Sequence, residues 1–497
     1  MAAMQIKLDD KTLFGNDAGE DEDESVLMSY FVDQPAFADF LDPGQRLWIA
    51  NGRKGMGKSA LLVRFAHQVR STRAPGAIVV SVVPSQLMAL KEPPQTDNHA
   101  LLENYWKQVM CGAINMELAR DIGFAWTDNQ MALVESAEVA GFAGRNLVGA
   151  LLSRLVGKLN VGGVLELAPT PRPAANAEQL LRRIEQEKSR PQRPIWFLLD
   201  NIDARFQNSA WEQSFIASFF SACRNLVNES SGIGVRATVR TDVWASLTSA
   251  EDMDKVEQYR TEITWSAAQQ RTLLANRILA YIRRHAPESE IARSWNSRDH
   301  ADALIDCAFV SRMKWGGASA PAEHVLRVLA GGRPRWIAQL CRMAGVNAAR
   351  DQKERIGIHH VTQAMGEFGR RRLADLYKEH QHQFADMRRL VECFSGGPRR
   401  YSTEELQALI AQKYVERVGA QNIPAVDGVA YRDPLQIARL LYKCGFVNGN
   451  NVGKASLAVP EFVAYDARPD LLEVDTNLDD GMLWELQPAY RNSLNVK

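Results

Sequence analysis

The sequence predicts an α/β fold, in which a parallel sheet flanked by helices is followed by a helical lid and a C-terminal winged-helix-like domain. Over the first half, short apolar runs rich in β-branched residues alternate with segments of helical periodicity, which is typical of a parallel sheet. From about residue 265 the strand signal fades and helical spacing takes over. After residue 381, three short helices precede β-like runs, an order that predicts a helix-turn-helix variant with a β-wing.

Four apolar runs are predicted to form the strands of the sheet. Each is too short for a helix, and the run containing "IWFLLD" is almost continuously apolar, as expected of a strand buried on both faces. The segment 58–71, which follows the first run, has apolar residues at helical spacing. The predicted strands are 45–51, 76–84, 193–203 and 232–242.

Changes in composition along the chain predict the domain boundaries. The acidic run 16–26 is interpreted as a solvated lead-in. Residues 96–190 have helical periodicity except in a Pro- and Ala-rich stretch, 167–179, which predicts a loose middle without regular helix. In the last domain, Ser402 and Asp433 are placed as helix N-caps. The predicted domains are a lead-in at 1–26, a sheet core at 27–264 with a helical insertion at about 96–190, an all-helical lid at 265–380 with helices at 266–284, 321–350 and 359–380, and a winged-helix-like domain at 381–497.

Composition sets few limits on binding partners. Lysine plus arginine and aspartate plus glutamate are both 59, so no global field favours nucleic acid or an anionic membrane. Six scattered cysteines without a C-x-x-C pair, and a start without a signal peptide, predict a cytoplasmic location. The most apolar stretch, 139–167, carries three basic residues that would lie in the hydrocarbon core, so we expect no membrane association.

A glycine-rich loop follows the first predicted strand. The pattern G-x-x-x-x-G-K-[ST] at 52–59 is the phosphate-binding P-loop, and its position between a strand and a helix predicts a P-loop NTPase sheet. Lys58 is expected to neutralise the β- and γ-phosphates of ATP or ADP, and the Ser59 hydroxyl to ligate Mg²⁺. The predicted nucleotide-binding residues of the loop are Gly52, Arg53, Lys54, Gly55, Met56, Gly57, Lys58, Ser59 and Ala60.

A carboxylate ends the third predicted strand. A nucleotide site needs such a group at the end of a neighbouring strand, where it holds Mg²⁺ through water. Asp200, the last residue of "IWFLLD", is therefore predicted to complete the metal site with Ser59. Together with the upstream P-loop, Asp200 predicts an Mg²⁺-dependent ATPase.

Four motifs carry a resemblance to a known family. In chain order, "GRKGMGKS", "FLLDNID", "ATVRTDVW" and "GGRPRWI" resemble the AAA+ and STAND class of P-loop ATPases, closest to bacterial ATPases with an origin-recognition-like module. The resemblance covers about 27–350 well and 381–497 only in outline. It implies ATP or ADP with Mg²⁺, a helical lid, a C-terminal winged helix, and often a role in bacterial anti-phage defence with a protein partner encoded nearby.

The same resemblance implies roles for several further residues. Arg240 occupies the sensor-one position near the γ-phosphate, although a strand-end surface arginine is the alternative. Pro334 is placed near the adenine and Arg335 as the sensor-two arginine, unless "GGRPR" is only a helix-starting turn. The class often forms oligomers with an arginine finger, for which Arg260 is the candidate, with a surface arginine as the alternative.

The chain departs from the family at the residue after Asp200. Many AAA+ ATPases carry a water-activating glutamate there, whereas this chain has Asn201, which is predicted to orient the attacking water by hydrogen bonding but cannot accept its proton. Asp203 is the predicted catalytic carboxylate, provided that the chain turns after the strand, because strand side chains alternate between faces. A helix N-cap is the alternative role of Asp203. We therefore predict slow turnover, suited to a switch that holds ATP.

Basic clusters raise the question of DNA binding. They lie at 281–286, 369–373 and 397–401, and two of them flank the winged-helix-like domain. The predicted recognition helix at 434–446 offers only Arg439 and Lys443 as long donors, so DNA binding should be weakly sequence-specific. Protein docking is the other interpretation of this domain. The alternative function is a DNA- or protein-binding module whose nucleotide is structural and not turned over.

Overall fold

The structure, a computed structural model, divides into two units by its internal contacts. It describes residues 6–72, 76–122, 178–179, 181–182, 193–204, 206–247, 250, 252–315, 317–451, 462–473 and 481–497. The sheet unit consists of Gln34–Arg53 and Leu61–Ile263. The helical unit consists of Met1–Asp33, Lys54–Ala60 and Thr264–Lys497.

The described elements are numbered along the chain. The strands are β1 (Leu47–Asn51), β2 (Ile78–Val82), β3 (Ile195–Leu199), β4 (Ile233–Val239), β5 (Arg260–Glu262), β6 (Arg312–Trp315), β7 (Ala318–Pro321), β8 (Arg400–Tyr401), β9 (Val447–Asn451) and β10 (Met482–Leu486). The α-helices of at least four residues are α1 (Glu24–Tyr30), α2 (Ala38–Leu41), α3 (Lys58–Ser71), α4 (Pro84–Leu90), α5 (His99–Ile122), α6 (Ala210–Glu229), α7 (Thr241–Leu247), α8 (Met253–Glu257), α9 (Ala267–His285), α10 (Glu290–Ser294), α11 (Ala301–Asp306), α12 (Ala322–Leu329), α13 (Pro334–Arg350), α14 (Ile358–His380), α15 (Met387–Glu392), α16 (Thr403–Ile410), α17 (Pro434–Lys443) and α18 (Pro488–Arg491).

The sheet unit is built on a five-stranded sheet in the order β2-β3-β4-β1-β5. Every pairing in it is parallel, which confirms the predicted α/β fold class and all four predicted strands. Residues of β3 and β4 are buried throughout, in agreement with their apolar sequences. The sequence did not predict β5, whose three residues are too few for a periodicity to show.

Aromatic side chains join the helices of the sheet unit. Trp106 of α5 packs on Phe215 of α6 with ring centroids 4.5 Å apart, and its indole N–H donates to the Phe215 carbonyl at 2.8 Å. Helix α5 forms the first part of the predicted helical insertion. Most of the loose middle at 167–179, and all of the apolar stretch 139–167, lie outside the described residues.

A buried arginine ties the chain before β1 to β4. Arg236 is fully buried, and its guanidinium donates to the backbone carbonyls of Phe40 at 2.6 Å, Asp42 at 2.8 Å and Gln45 at 2.6 Å. It also lies 4.4 Å from the ring centroid of Phe65. Burial lowers the pKa of this guanidinium to about 9, which still leaves it charged at neutral pH. A buried charge satisfied by carbonyls stabilises one path of the chain.

The helical unit departs from the predicted lid in two places. The predicted helix 321–350 is two helices, α12 and α13, because Gly331 and Gly332 have φ of +59° and +68°, which are not helical. The predicted all-helical lid also contains an antiparallel hairpin, β6-β7. Each strand of the hairpin has only one buried residue, so its sequence lacks the alternation of apolar and polar residues that would predict a strand.

The end of the chain contains the predicted short helices and a small sheet. Ser402 and Asp433 are N-caps, as predicted, since their side chains accept from backbone N–H groups of α16 and α17. Strands β8, β10 and β9 form an antiparallel sheet in that order. These are the components of a winged helix, and the assignment itself stays a prediction.

The contacts group the chain differently from the predicted domain scheme. Leu8, Leu13 and Phe14, within the predicted lead-in, are buried in the core of the helical unit. Gln487 near the end of the chain donates to the Val328 carbonyl at 3.0 Å, so 381–497 and the predicted lid share one unit. No helix among the described residues is long and apolar enough to cross a membrane.

The glycine of β4 next to the Trp196 ring gives a stability test. A Cβ at Gly234 would lie 2.2 Å from a ring carbon of Trp196, whereas nothing lies within 4 Å of a Cβ built on Gly112 in α5. We expect Gly234→Ala to lower the free energy of unfolding by about 1–3 kcal/mol. The control Gly112→Ala should raise it by about 0.5–1 kcal/mol. Urea unfolding of both variants checks this, and equal midpoints would contradict the packing described here.

Candidate functional site

The P-loop connects β1 to α3 with the geometry that its glycines allow. Gly55 and Gly57 have φ of +83° and +102°, conformations that a residue with a Cβ rarely adopts. Lys58, the first residue of α3, is only 6% exposed. The loop is therefore a strand–turn–helix connection with its lysine held in the interior.

Residues of the helical unit hold the middle of the P-loop. The Arg335 backbone N–H donates to the Gly55 carbonyl at 3.2 Å. The Trp265 indole N–H donates to the Met56 carbonyl at 2.8 Å. A Cβ on Gly55 would lie 3.1 Å from the Cβ of Arg335, so this approach also requires a small residue at position 55. Two loop carbonyls are thus fixed by donors from the unit that the sequence predicts to be the lid.

A chain of polar contacts extends from the P-loop to the N-terminal segment. The Lys54 ammonium lies 3.3 Å from the Asp375 carboxylate, which also pairs with Arg372 at 3.0 Å. Arg372 donates to the Gln339 side-chain oxygen, and the Gln339 amide donates to Asp17 at 3.0 Å. The conformation of the loop is therefore coupled to α13, α14 and the segment before α1, all within the helical unit.

In the sheet unit, the first residue of the P-loop and the predicted Mg²⁺ aspartate lie at one edge. Gly52 follows β1 and donates its N–H to the Val239 carbonyl at 3.3 Å, and Asp200 follows β3 and donates its N–H to the Val82 carbonyl at 3.2 Å. Because all strands of the sheet are parallel, both residues lie at its carboxyl edge. Open parallel sheets bind their ligands at this edge.

Thr238 fixes the turn that follows β3. Its hydroxyl donates to the Asp200 carboxylate at 2.5 Å and accepts the Asn201 backbone N–H at 2.8 Å. Asn201 has φ of +56°, in the left-handed region that asparagine tolerates. The turn on which the predicted role of Asp203 depends is therefore present. Sequence reasoning missed Thr238, because a threonine within the β-branched run "ATVR" has no signal that distinguishes it from a packing residue.

Asp203 and Arg240 contact each other directly. The Arg240 Nε lies 2.8 Å from an Asp203 carboxylate oxygen, and the Asp203 side chain is 1% exposed. This is a charge contact rather than an aligned hydrogen bond, since the pair does not meet hydrogen-bond geometry. Arg240 also lies 3.2 Å from Asp242 and is largely buried, so it is not the alternative surface arginine. The N-cap alternative for Asp203 is wrong, because Ser209 caps α6.

The lid motif begins a helix and contains a buried ion pair. Pro334 is the first residue of α13 and is buried. Its neighbour Arg333, which sequence reasoning missed, lies 3.1 Å from Glu379 and 4.3 Å from the centroid of the Trp336 ring. Burial opposes the charge of Arg333, but the attraction and hydrogen bond of Glu379, together with the attraction of Tyr490 and Asp466, outweigh it and raise the guanidinium pKa. The motif thus has a structural role in addition to the one predicted for Arg335.

The other predicted basic residues mostly pair within the chain. Arg260, the candidate finger, lies 2.8 Å from Glu257. Arg439 of the predicted recognition helix lies 3.0 Å from Glu473, and Lys443 pairs with Asp427. These contacts neutralise donors that a nucleic acid or a neighbouring protomer would need. The finger and the DNA interface both stay predictions.

Comparisons with known proteins give a distant likeness in structure. No protein-family model and no curated protein matches the chain. Similar solved structures include Cdc6p from Pyrobaculum aerophilum, 11% identical with a TM-score of 0.35, which covers 99% of this chain and 97% of that one.

Two further similar structures are from Aeropyrum pernix. The ORC2 protein in ADPNP and ADP complexes is 12% identical with a TM-score of 0.41, covering 97% of this chain and 96% of that one. The ORC1 protein in complex with DNA is 14% identical with a TM-score of 0.35, covering 95% and 96%. Their names belong to the origin-recognition group that the motifs resemble.

The Thr238 hydroxyl gives a test of the turn. Thr238→Val keeps the shape but removes the acceptor of the Asn201 N–H and the donor to Asp200, so we expect a loss of about 1–3 kcal/mol in stability. Backbone hydrogen exchange at residue 201, followed by mass spectrometry, should accelerate. Thr238→Ser keeps the hydroxyl and should retain most of the protection. Unchanged exchange in Thr238→Val would show that the hydroxyl does not hold the turn.

Proposed function

We propose that the chain is an Mg²⁺-dependent ATP-binding switch of the AAA+/STAND type that hydrolyses ATP slowly and couples its nucleotide state to partner binding. One observation carries this proposal. A glycine loop with two left-handed residues and a buried lysine leaves the carboxyl edge of a parallel sheet, where the turn after β3 also places Asp200. That arrangement suits a phosphate better than any other ligand class.

The residues of the loop fit a nucleotide. In the proposal, Lys58 neutralises the β- and γ-phosphates, while backbone N–H groups of 52–60 surround them. The Ser59 hydroxyl and the Asp200 carboxylate would hold Mg²⁺, the latter through water. Bound Mg²⁺ would supply charge neutralisation to the phosphates. Thr238 already restrains one Asp200 oxygen, so the carboxylate needs little rearrangement for this role.

The contact between Asp203 and Arg240 supports slow turnover. A carboxylate next to a guanidinium is a weak proton acceptor, because the positive charge stabilises its ionised form. For Asp203 to accept a proton from water, Arg240 would have to exchange this partner for a phosphate oxygen. The proposed switch is then this exchange: the arginine either neutralises Asp203 or reports the nucleotide.

The alternative function, a DNA- or protein-binding module with a structural nucleotide, has less support. It rests on basic clusters around the C-terminal region, but Arg371 and Arg400 of those clusters pair with acids of the chain itself. The two long donors of the predicted recognition helix are paired as well. Arg372, the last arginine of the cluster 369–373, is buried beside Trp336. Partner identity and a role in anti-phage defence rest on the resemblance alone.

Two lysines of the same loop give a matched test of nucleotide binding. Lys58 is buried, whereas Lys54 is paired with Asp375 near the surface. We expect Lys58→Ala to weaken Mg²⁺–ATP binding by at least about tenfold, because charge-assisted contacts to phosphate are lost. Lys54→Ala should change it by no more than about fivefold, as for an exposed ion pair. Calorimetry checks both, and intact affinity in Lys58→Ala would refute the proposal.

The two acids beside Arg240 give a test of the chemical step. We expect Asp203→Asn to slow single-turnover hydrolysis by about 100-fold or more, the usual contribution of a general base. Asp242→Asn removes the other carboxylate near Arg240 and should slow it by less than about tenfold. ATP affinity, measured in parallel, should stay close to that of the wild type in both variants. Full activity in Asp203→Asn would leave that residue a structural role only, and fast wild-type turnover would exclude a switch that holds ATP.

A further inference from the structure

A second concave site lies in the helical unit, apart from the P-loop. It is a cavity of about 690 Å³ between the β6-β7 hairpin, α14 and the C-terminal helix α18. Its size falls within the range of about 300–1,000 Å³ that is usual for small-molecule sites. Charged residues make up one part of its lining, the charged wall, and apolar residues, including Trp315 and Met365, contribute another part.

The charged wall has an excess of positive charge. Arg399, Arg400 and Arg491 line the cavity, and Glu485 is the one carboxylate among the described residues that line it. Glu485 is 2% exposed, and its oxygens lie 2.8 Å from Arg400 Nε and 2.7 Å from an Arg491 nitrogen. The cavity lining therefore carries three positive charges and one negative charge, a net charge of +2.

The carboxylate positions the arginines rather than neutralising the wall. Asn450 also donates to Glu485 at 2.7 Å, so three side chains hold this carboxylate in place. Arg491 is further fixed by its Nε, which donates to the Leu486 carbonyl at 2.8 Å. Burial lowers the pKa of the Arg491 guanidinium, and the nearby Arg399 and Arg400 lower it further. The cavity thus presents preorganised guanidinium groups, of which Arg400 and Arg491 share the single carboxylate of Glu485.

We propose that this cavity binds a small phosphate monoester with an aromatic body, of the nucleoside monophosphate class. A phosphate monoester carries a charge of about −1.5 to −2 at neutral pH, which balances the excess on the arginine wall. Guanidinium groups bind phosphate oxygens in pairs with a defined geometry. The partly buried Trp315 and the apolar side of the cavity offer a stacking surface for the rest of the ligand. A concave, partly apolar site suits a small ligand better than a duplex, whose phosphates need a convex or extended basic track.

Uridine monophosphate is the probe, titrated by calorimetry into the full chain without Mg²⁺. We expect Arg399→Gln, a change at an exposed residue, to weaken this binding by about tenfold, the loss of one charge-assisted contact. The affinity of Arg399→Lys should lie between those of Arg399→Gln and the wild type, because lysine keeps the positive charge but lacks the paired N–H donors of a guanidinium. Arg432→Gln, which removes an exposed arginine elsewhere in the same unit, is the matched control and should bind as the wild type does.

Variants at the P-loop separate this site from the proposed nucleotide switch. Lys58→Ala should leave the affinity for uridine monophosphate unchanged, and Arg399→Gln should leave the affinity for Mg²⁺–ATP unchanged. The proposal is overturned if the wild type does not bind the monophosphate, or if Lys58→Ala abolishes its binding. It is also overturned if inorganic phosphate binds as tightly as the monophosphate, or if a DNA duplex displaces it and binds through Arg399.

Discussion

A buried guanidinium sets the frame on which the candidate site depends. Arg236 donates to the backbone carbonyls of Phe40, Asp42 and Gln45, and the charge of Asp42 also favours its ionised form. A charge held mainly by carbonyls and aromatic faces tolerates few arrangements, because each lost acceptor would leave a desolvated donor. The segment that enters β1 is therefore fixed against β4, and with it the point from which the P-loop leaves the sheet.

Strand β4 links the buried Arg236 to the residues of the candidate site. Residues 236 and 238 lie two apart in the strand, so their side chains face the same side of the sheet. Arg236 holds the chain before β1, and Thr238 holds the turn after β3. Arg240, which follows the strand, contacts Asp203. A single buried strand thus sets the positions of groups that come from three separate stretches of sequence. A substitution within β4 would consequently act on the turn and the entry to β1 together.

The sequence was informative where local pattern decides structure. The four long apolar strands, the helix after the P-loop, and the caps Ser402 and Asp433 follow from periodicity and hydrogen-bonding chemistry that act over a few residues. The contact of Asp203 with Arg240 and the bridge through Thr238 could not be predicted, because each joins residues distant in sequence. The burial of Leu8 and Phe14 could not be predicted either, because the residues that bury them lie far along the chain. In the sequence, both belong to the predicted lead-in.

The backbone at Asn201 has an evolutionary consequence. With φ of +56°, this position suits asparagine, aspartate or glycine, and a longer side chain would be strained by about 1–2 kcal/mol. A glutamate at this position would therefore carry that strain. A lineage with this turn would acquire such a residue more readily if the backbone around Thr238 changed as well. The shape of one peptide unit thus biases which side chains can follow Asp200.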